Sequence, residues 1–317
     1  MDDAALTPEV VTRADIEAAA ARLRGHAVRT PLLNAPSLDA AFGRRIWVKA
    51  ECLQLTGSFK FRGAFNAVSQ TTGDIVAFSS GNHAQGVALA ARMLGRSAVI
   101  VMPSDAPSVK IGNTRNYGAE VILYDRARED RDEIGERLME ERGLELVRPF
   151  DDVRVIAGQG TCGLEVGEDM PDGVEEVFVC CGGGGLTSGI ALALEGRASV
   201  RPVEPAGFDD VTRSQVSGRR ERNAAMTGSV CDAILTPQAG EITWPILKRL
   251  CGPGIVVTDA EALRAVALAW RHLRIVLEPG GAVALAAALF HNEGDVVAIA
   301  SGGNVDRDVF LRALATE

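Results

Sequence analysis

A lysine between two phenylalanines is the residue of this sequence best suited to covalent chemistry. Lys60 follows a Thr-Gly-Ser turn in the stretch from Thr56 to Ala64 and stands at the head of a predicted helix. Desolvation by apolar neighbours and the positive end of the helix dipole both favour loss of its proton. A neutral amine is a nucleophile for carbonyl groups, so this position suits Schiff-base chemistry. The same pattern also fits a lysine that extends its charge to solvent from an amphipathic helix.

Four consecutive glycines form the second candidate site. They lie between a predicted buried strand and a predicted helix, and they are Gly182, Gly183, Gly184 and Gly185. Backbone amides of such a loop can converge at a helix N-terminus and bind an anion such as a phosphate group. The loop is neither a Walker A motif, since no Lys-Ser or Lys-Thr follows, nor a Gly-x-Gly-x-x-Gly motif. A flexible tight turn is the alternative interpretation.

Three polar turns follow other predicted strands. Segment 79–83 reads Ser-Ser-Gly-Asn-His, and segment 301–304 reads Ser-Gly-Gly-Asn. Hydroxyl, amide and free N–H groups at the carboxyl edge of a parallel sheet could hold a carboxylate, although an N-cap beside a histidine explains the first turn equally well. Glu204, Asp209 and Asp210 surround the third turn, which fits either a hard cation such as Mg²⁺ or Ca²⁺ or a solvated acidic loop.

The segments between these sites alternate between strand and helix. The predicted strands are 45–50, 74–78, 98–102, 120–124, 176–181, 200–204, 255–257 and 295–300. The predicted helices are 16–23, 84–94, 107–117, 128–142, 153–170, 186–194, 259–273 and 278–290, and segment 207–234 is predicted as loop with short helices. Repeated strand–helix–strand units predict an α/β fold with parallel sheets and helices on both faces.

Composition and charge restrict the class of protein. The chain has 317 residues, 47% of them hydrophobic, and a formal net charge of −9. The length suits two domains or one large α/β unit. The acidic balance argues against nucleic acid or a membrane as a partner, and the longest apolar runs are too short to span a bilayer. The acidic N-terminus lacks an apolar signal core, and six cysteines without C-x-x-C spacing suit a reduced, cytoplasmic protein without a zinc site.

Four motifs, in this order, resemble those of the fold type II pyridoxal-phosphate enzymes. They are SFKFRGA at 58–64, SSGNHAQGVALAA at 79–91, CGGGGL at 181–186 and SGGN at 301–304, with supporting pieces at 156–161, 243–247 and 278–287. The nearest branch contains serine/threonine dehydratases, serine racemases and 3-hydroxyaspartate dehydratases. The resemblance implies two open, mostly parallel twisted sheets flanked by helices, similar to the tryptophan synthase β fold. It places the active site between a large domain (1–54 and 151–317) and a small domain (55–150).

The resemblance implies that the chain binds pyridoxal 5′-phosphate. Lys60 would hold the cofactor as a Schiff base, and the four glycines would hold its phosphate. Phe59 would lie beside the pyridine ring, Asn82 would bond its 3′ oxygen, and Ser301 would face its nitrogen. A hydroxyl at that nitrogen favours β-elimination over transamination, because it does not keep the nitrogen protonated as a carboxylate would.

The resemblance also implies a set of residues around an amino-acid substrate. They are Ser79, Ser80, Asn82, His83, Arg131 and Thr236. Lys60 and Ser80 would be the candidate bases on opposite faces of the substrate Cα. Arg131 matches an arginine that binds acidic ligands, and a guanidinium suits bidentate capture of a second carboxylate. Arg131 could instead be one of several charges on an exposed helix. Ala233 and Thr236 depart from the Gly and Ser usual in racemases, so the pocket wall differs from theirs.

The same resemblance implies a divalent cation and a homodimer. Glu204, Asp210 and the carbonyl of Phe208 match the cation site of the racemases, with Mg²⁺ expected and Mn²⁺ or Ca²⁺ as alternatives. The expected reaction is β-elimination from a 3-hydroxy amino acid, with 3-hydroxyaspartate giving oxaloacetate and ammonia as the first choice. An L-serine/L-threonine dehydratase or a serine racemase is the alternative. A non-catalytic amino-acid- or nucleotide-binding module on the same scaffold is the rival from another class.

Overall fold

Two sheets organise the protein. The computed structural model describes residues 10–79, 81–106, 108–125 and 128–316, without the side chains of residues 108, 109, 131 and 132. Within this part of the chain, one sheet has six strands and the other has four, and helices pack against both. The predicted fold class, α/β with mostly parallel sheets, is confirmed.

The larger sheet contains the strands that carry the glycine loop and Ser301. Its strands in spatial order are β1 (Leu32–Leu33), β2 (Ile46–Lys49), β10 (Val296–Ile299), β7 (Glu176–Cys180), β8 (Ser199–Pro205) and β9 (Ile255–Val257). Only β1 runs antiparallel to its neighbour among these described strands. The central strand β10 is apolar and buried throughout, because both faces of the sheet are covered there. Since β10 and β7 are parallel neighbours, the loops after them lie side by side.

The smaller sheet is parallel throughout its described strands. Its order is β5 (Glu120–Tyr124), β4 (Ala98–Pro103), β3 (Ile75–Phe78) and β6 (Glu145–Leu146). Every residue of β4 is buried, which fits a central strand between two helical layers. Ser79, Asn82 and His83 follow β3 and therefore lie at the carboxyl edge of this sheet.

Helices and short turns connect the strands. The α-helices are α1 (Arg13–Leu23), α2 (Pro36–Phe42), α3 (Lys60–Val68), α4 (Asn82–Met93), α5 (Ser108–Asn116), α6 (Arg131–Arg142), α7 (Val153–Asp169), α8 (Gly185–Ala193), α9 (Asp210–Ser217), α10 (Thr243–Leu250), α11 (Asp259–Leu268), α12 (Pro279–Phe290) and α13 (Arg307–Leu314). Short 3₁₀ turns occupy Glu51–Leu53, Leu55–Gly57 and Asp232–Ile234. Among the described residues, no helix combines the length and the apolar character needed to cross a membrane.

Most of the predicted elements are confirmed, with ends that differ by a few residues. The prediction of loop with short helices over 207–234 is confirmed, since this segment contains the eight-residue helix α9 and a 3₁₀ turn. One prediction needs correction. The helix expected over 259–273 ends at Leu268 and continues as a π-helical turn, Ala269–Leu273. Helices α2, α10 and α13 had not been predicted.

Candidate active site

Lys60 is the first residue of α3 and lines a cleft between the two sheets. Its Nζ donates a hydrogen bond to the carbonyl of Pro149 at 2.8 Å and lies 5.2 Å from the centre of the Phe59 ring. Burial lowers the pKa of Lys60 to about 8, although Cys180 and Glu278 act in the opposite direction. A substantial fraction of this amine is therefore neutral at slightly alkaline pH, as a nucleophile or base requires.

The turn before Lys60 is fixed by the loop that follows β10. Thr56 and Gly57 both have positive φ angles, 61° and 74°, which is uncommon for a threonine. Asn304 stabilises this turn, because its Nδ2 donates to the carbonyl of Thr56 at 2.8 Å. The N–H of Phe59 also donates to the carbonyl of Ser301 at 3.0 Å. The position of Lys60 is therefore set by residues more than 200 positions away in the sequence.

The glycine loop joins β7 to α8, and its tight packing leaves little space for side chains. A Cβ on Gly183 would overlap the Phe150 ring, and one on Gly184 would lie 2.8 Å from Leu247 Cδ1. Gly184 also has a φ of +90°, a conformation that favours glycine. The first N–H groups of α8 have no carbonyl partner within their own helix. The loop thus presents backbone donors at a positive helix end, which suits a phosphate group.

The predicted cofactor residues converge on one cleft. The predicted residues in its lining are Phe59, Lys60, Asn82, Gly182, Gly183, Gly184, Gly185, Thr236 and Ser301. Phe150, Leu186 and Glu278 also line the cleft. Most of these residues come from the loops after β3, β7 and β10 and from the start of α3, whereas Thr236 follows the 3₁₀ turn Asp232–Ile234 and Glu278 precedes α12. The structure therefore brings together residues that are up to about 240 positions apart, while the roles assigned to them remain predictions.

Asn82 belongs to a hydrogen-bonded chain of three side chains. Its Nδ2 donates to Glu278 Oε1 at 2.6 Å, and its Oδ1 accepts from Asn304 Nδ2 at 2.7 Å. Burial raises the pKa of Glu278 to about 7, although the bond from Asn82 opposes this. These contacts fix the rotamer and the amide orientation of Asn82. A ligand atom at this position would meet a pre-oriented amide.

Ser301 lies at the end of β10 beside β7. The thiol of Cys180 donates to Ser301 Oγ at 3.0 Å. Burial raises the pKa of Cys180 to about 11, so the thiol keeps its proton for this bond. The hydroxyl of Ser301 consequently has an occupied acceptor position, and its own proton can be donated to a ligand.

A second part of the cleft continues from Lys60 towards the smaller sheet. The predicted substrate residues that line it are Ser79, Asn82, His83 and Thr236. His83 Nε2 bonds the carbonyl of Val147 at 3.0 Å, which assigns the proton to this nitrogen and leaves Nδ1 as an acceptor without a partner. Burial lowers the pKa of His83 to about 3, so this ring is neutral. Ser80 and the side chain of Arg131 lie outside the described residues.

The predicted cation ligands lie at the end of β8, apart from the cleft. Glu204 accepts from the N–H of Val211 at 2.9 Å and from the N–H and hydroxyl of Thr212, both at 2.7 Å. Asp210 Oδ1 accepts from Asn223 at 2.6 Å, and its Oδ2 is buried without a hydrogen-bond partner. Burial raises the pKa of Glu204 to about 8 and that of Asp210 to about 6, with Asp210 adding to the rise at Glu204.

Phe208 lies between Glu204 and Asp210 in the sequence, and its side chain is buried. Its N–H donates to the carbonyl of Pro205 at 2.9 Å. Across the described residues, no group of three or more His, Cys, Asp or Glu side chains is arranged to hold a metal ion.

Glu278 is the main residue of the cleft that the sequence analysis did not assign. It is almost completely buried and lines both parts of the cleft. Its position before a Pro-Gly-Gly helix start indicated only the beginning of α12. The sequence did contain one indication that Glu278 belongs to a site: it is a carboxylate directly before a strongly apolar helix, and a buried carboxylate needs a polar partner.

Comparison with known proteins agrees with this geometry. The family described as "Pyridoxal-phosphate dependent enzyme" matches residues 23–302. The L-threo-3-hydroxyaspartate ammonia-lyase of Pseudomonas sp is 42% identical over 95% of this chain and 97% of its own length. The serine racemase of Oryza sativa subsp. indica is 38% identical over 94% of this chain and 92% of its own. A solved threonine deaminase, from the organism abbreviated T.th., is 42% identical, covers 92% of this chain and 98% of its own, and superposes with a TM-score of 0.88. This chain therefore belongs to the family of pyridoxal-phosphate dependent enzymes.

Proposed function

We propose that this enzyme eliminates water from 3-hydroxyaspartate and releases oxaloacetate and ammonia. The observation that carries the proposal is the convergence of Lys60, the glycine loop, Asn82 and Ser301 on one cleft. The similarity to a hydroxyaspartate ammonia-lyase supports the choice of substrate. The elimination removes one water, and hydrolysis of the resulting enamine consumes one, so the net products are the 2-oxo acid and ammonia.

The residues of the cleft fit pyridoxal phosphate. The glycine loop excludes side chains where backbone donors would hold the phosphate, and Lys60 supplies a primary amine with a lowered pKa for the aldehyde. Asn82 would hold the ring oxygen, Phe59 the ring face and Ser301 the ring nitrogen. When bound, the cofactor supplies an electron sink for the electrons released at the substrate Cα.

The remaining steps belong to the side chains. Asn82, neutral His83, Ser79 and the N-terminus of α4 would orient the α-carboxylate. Lys60, once free, would take the Cα proton from one face, and Ser80 would do so for the opposite configuration. Arg131 would bind the second carboxylate of hydroxyaspartate, and Thr236 would line the substrate pocket. Each role is a proposal that substitution of the residue can test.

The second candidate is a dehydratase or racemase that acts on serine or threonine. It is favoured by the similarity to a serine racemase and to a solved threonine deaminase. The assay that separates the candidates compares the four 3-hydroxyaspartate stereoisomers with L-serine and L-threonine. We expect one hydroxyaspartate isomer to have a kcat/KM at least about tenfold higher than either monocarboxylic substrate, a difference of about 1.4 kcal/mol. Faster turnover of serine or threonine than of every isomer would reject the proposed substrate. A binding module would show no yellow absorbance band that borohydride abolishes.

We also propose that Glu204, Asp210 and the carbonyl of Phe208 bind a divalent cation, with Mg²⁺ before Mn²⁺ or Ca²⁺. The support is the buried Oδ2 of Asp210, which has no hydrogen-bond partner and which a hard cation would satisfy. Mg²⁺ at about 100 times its Kd should stabilise the wild type by about 2.7 kcal/mol, measured as a rise in Tm. Asp210→Asn should abolish this rise.

Asp209→Asn is the matched control, because it removes the same charge one residue away while Asp209 pairs with Arg213. Its Tm should respond to Mg²⁺ as the wild type does. Equal responses of the two variants, or no response of the wild type to any of the three cations, would contradict the assignment.

The domain boundaries, assembly and compartment are further proposals. Residues 55–150 would form the small domain, and residues 1–54 with 151–317 the large one. The six cysteines are free, five of them buried, which supports a reducing, cytoplasmic compartment. Sedimentation of the purified protein would test the expected homodimer.

A further inference from the structure

Lys110 places a second cation in the wall of the substrate cleft. It lies in the first turn of α5 and lines the part of the cleft that also contains Lys60, Asn82 and His83. Its side chain is 14% exposed, and its Nζ donates to Asp232 Oδ2 at 2.8 Å. The roles proposed above do not use this lysine.

Its position follows from the packing of α5. The helix comes after the carboxyl end of β4, and Ile111, the next residue, is buried in the core of the smaller sheet. Asp232 begins a 3₁₀ turn on the side of the larger sheet. The ion pair therefore reaches across the cleft from one sheet unit to the other.

The charge of Lys110 remains available at working pH. Burial lowers its pKa, but Asp232, Glu278 and Asp306 raise it, and the net change is upward. Lys60, the other lysine lining this part of the cleft, is required for the chemistry. Among the described lining residues, Lys110 is thus the cation that can serve as a counter-ion for a substrate.

The present partner of Lys110 can be exchanged. The Asp232 side chain is 59% exposed, and an ion pair with one hydrated member is held weakly. A substrate carboxylate that enters the cleft would be less hydrated than Asp232, so its bond to Lys110 would be stronger. Asp232 can then turn to solvent without leaving a buried charge unpaired.

Lysines are few in this chain, and two of them line the cleft. Of the 33 basic residues, only four are lysines, at positions 49, 60, 110 and 248. Lys49 is fully buried in an ion pair, and Lys60 and Lys110 line the cleft. Lys248 is exposed on α10 and offers a surface lysine for comparison.

We propose that Lys110 shares with Arg131 the binding of the distal carboxylate of a dicarboxylic 3-hydroxy amino acid, in exchange for Asp232, and thereby helps to select dicarboxylic over monocarboxylic substrates. This inference rests on the proposed elimination reaction and adds a specificity residue to it. The distal carboxylate is not altered in the reaction, so Lys110 acts through binding.

The test compares kcat/KM for the preferred 3-hydroxyaspartate isomer and for L-serine. Lys110→Met should lower the ratio of these values by at least about 30-fold, within the range for loss of a charged hydrogen bond, mainly by raising KM for the dicarboxylate. Lys110→Arg should retain most of the ratio, because it keeps the charge. Lys248→Met is the control and should leave both substrates unaffected.

Inhibition by succinate supplies a readout that does not require turnover of hydroxyaspartate. Succinate should compete with L-serine in the wild type and much less in Lys110→Met, whereas propionate should not distinguish the two proteins. Asp232→Asn removes the competing carboxylate, so its Ki for succinate should be equal to or lower than that of the wild type. The cofactor absorbance and Tm of each variant report whether it is folded and loaded.

Two outcomes would overturn the proposal. One is an equal loss of activity on both substrates in Lys110→Met and Asp232→Asn, which would make the pair a structural contact. The other is an unchanged Ki for succinate in Lys110→Met. If that variant does not fold, a raised Ki for succinate in Asp232→Asn would overturn the proposal instead. If the wild type acts on serine but on no hydroxyaspartate isomer, the substrate proposed above fails, and the succinate titration still decides the role of Lys110.

Discussion

The environment of a single amine determines what Lys60 can do. Desolvation in the cleft disfavours its ammonium form, and the carbonyl of Pro149 is the hydrogen-bond acceptor at 2.8 Å. The sequence indicated this from two flanking phenylalanines, of which Phe61 is completely buried and Phe59 nearly so. A lysine that extended into solvent would have no such desolvation.

The lowered pKa predicts the pH dependence of chemical labelling. Reductive methylation of cofactor-free protein needs the neutral amine, whose fraction increases as pH rises through the pKa. The labelling rate of Lys60, measured by peptide mass spectrometry, should therefore have its midpoint at a pH of about 8. In urea-unfolded protein the labelling rate of the same residue should have its midpoint at a pH of about 10.4. Identical midpoints in the folded and unfolded protein would contradict the proposed environment.

At the scale of elements, glycines allow α7 to pack directly on α3. A Cβ on Gly158 would lie 2.6 Å from Gly63 Cα and 2.7 Å from the carbonyl oxygen of Arg62. Backbone atoms of α3 cannot move aside as a flexible side chain would. Because α3 begins at Lys60, this close contact also positions the lysine.

Gly158→Ala should therefore destabilise the protein by about 1–3 kcal/mol, as overpacking of a core does. The midpoint of urea unfolding measures the change. Gly112→Ala is the control, since a Cβ there meets nothing within 4 Å and alanine is favoured in a helix by up to about 1 kcal/mol. A Gly158→Ala protein as stable as the wild type would show that α3 and α7 can separate without cost.

Helix prediction succeeded where the capping residues are local. Thr12 and Asp15, three residues apart, form a capping box at the start of α1, where the sequence predicted a helix over 16–23. The bounds of α9, within the segment predicted as loop with short helices, were not predicted because its capping group is distant: Glu204, at the end of β8, accepts the N–H groups of Val211 and Thr212. A polar segment with a remote cap has no sequence pattern that distinguishes it from a loop.

At the scale of the whole molecule, a buried ionic network joins elements of both sheet units. Arg62 on α3 makes two bonds of 2.8 Å to Glu51, which follows β2, and a bond of 2.7 Å to Glu165 on α7. Lys49 donates to the same Glu165 at 2.6 Å. Burial raises the pKa of Glu51, but Arg62, Thr30 and Lys49 together outweigh burial and bring the pKa below its ordinary value.

Arg62→Met should leave Glu51 as an unpaired buried charge and destabilise the protein by about 3–5 kcal/mol at pH 7. A carboxyl with a lowered folded-state pKa stabilises the protein above its unfolded pKa, and this stabilisation is lost as pH falls through the folded pKa. The difference in unfolding free energy between wild type and variant should therefore shrink as the pH falls below the ordinary glutamate pKa of 4.5. Urea unfolding at several pH values measures it.

Arg219→Met is the surface control for this prediction, because Arg219 is 82% exposed in its pair with Glu221. Its effect should stay within about 0.5 kcal/mol. A difference between wild type and Arg62→Met that does not vary with pH would show that packing, rather than the charge of Glu51, dominates the loss.

The sequence by itself determined the α/β class, most strands and helices, and the family, because these depend on local periodicity and on short motifs. It also indicated Lys60, the glycine loop, Asn82 and Ser301 one by one. Only the tertiary structure decided which groups meet: Glu278 on Asn82, Cys180 on Ser301, and Lys110 on Asp232 across the cleft. The physical reason is that parallel strands bring their carboxyl ends to one edge, where partners are chosen by spatial register and burial. Lys60, at the start of α3, depends on both: the local sequence indicated it as a reactive lysine, and burial by residues distant in the chain lowers its pKa.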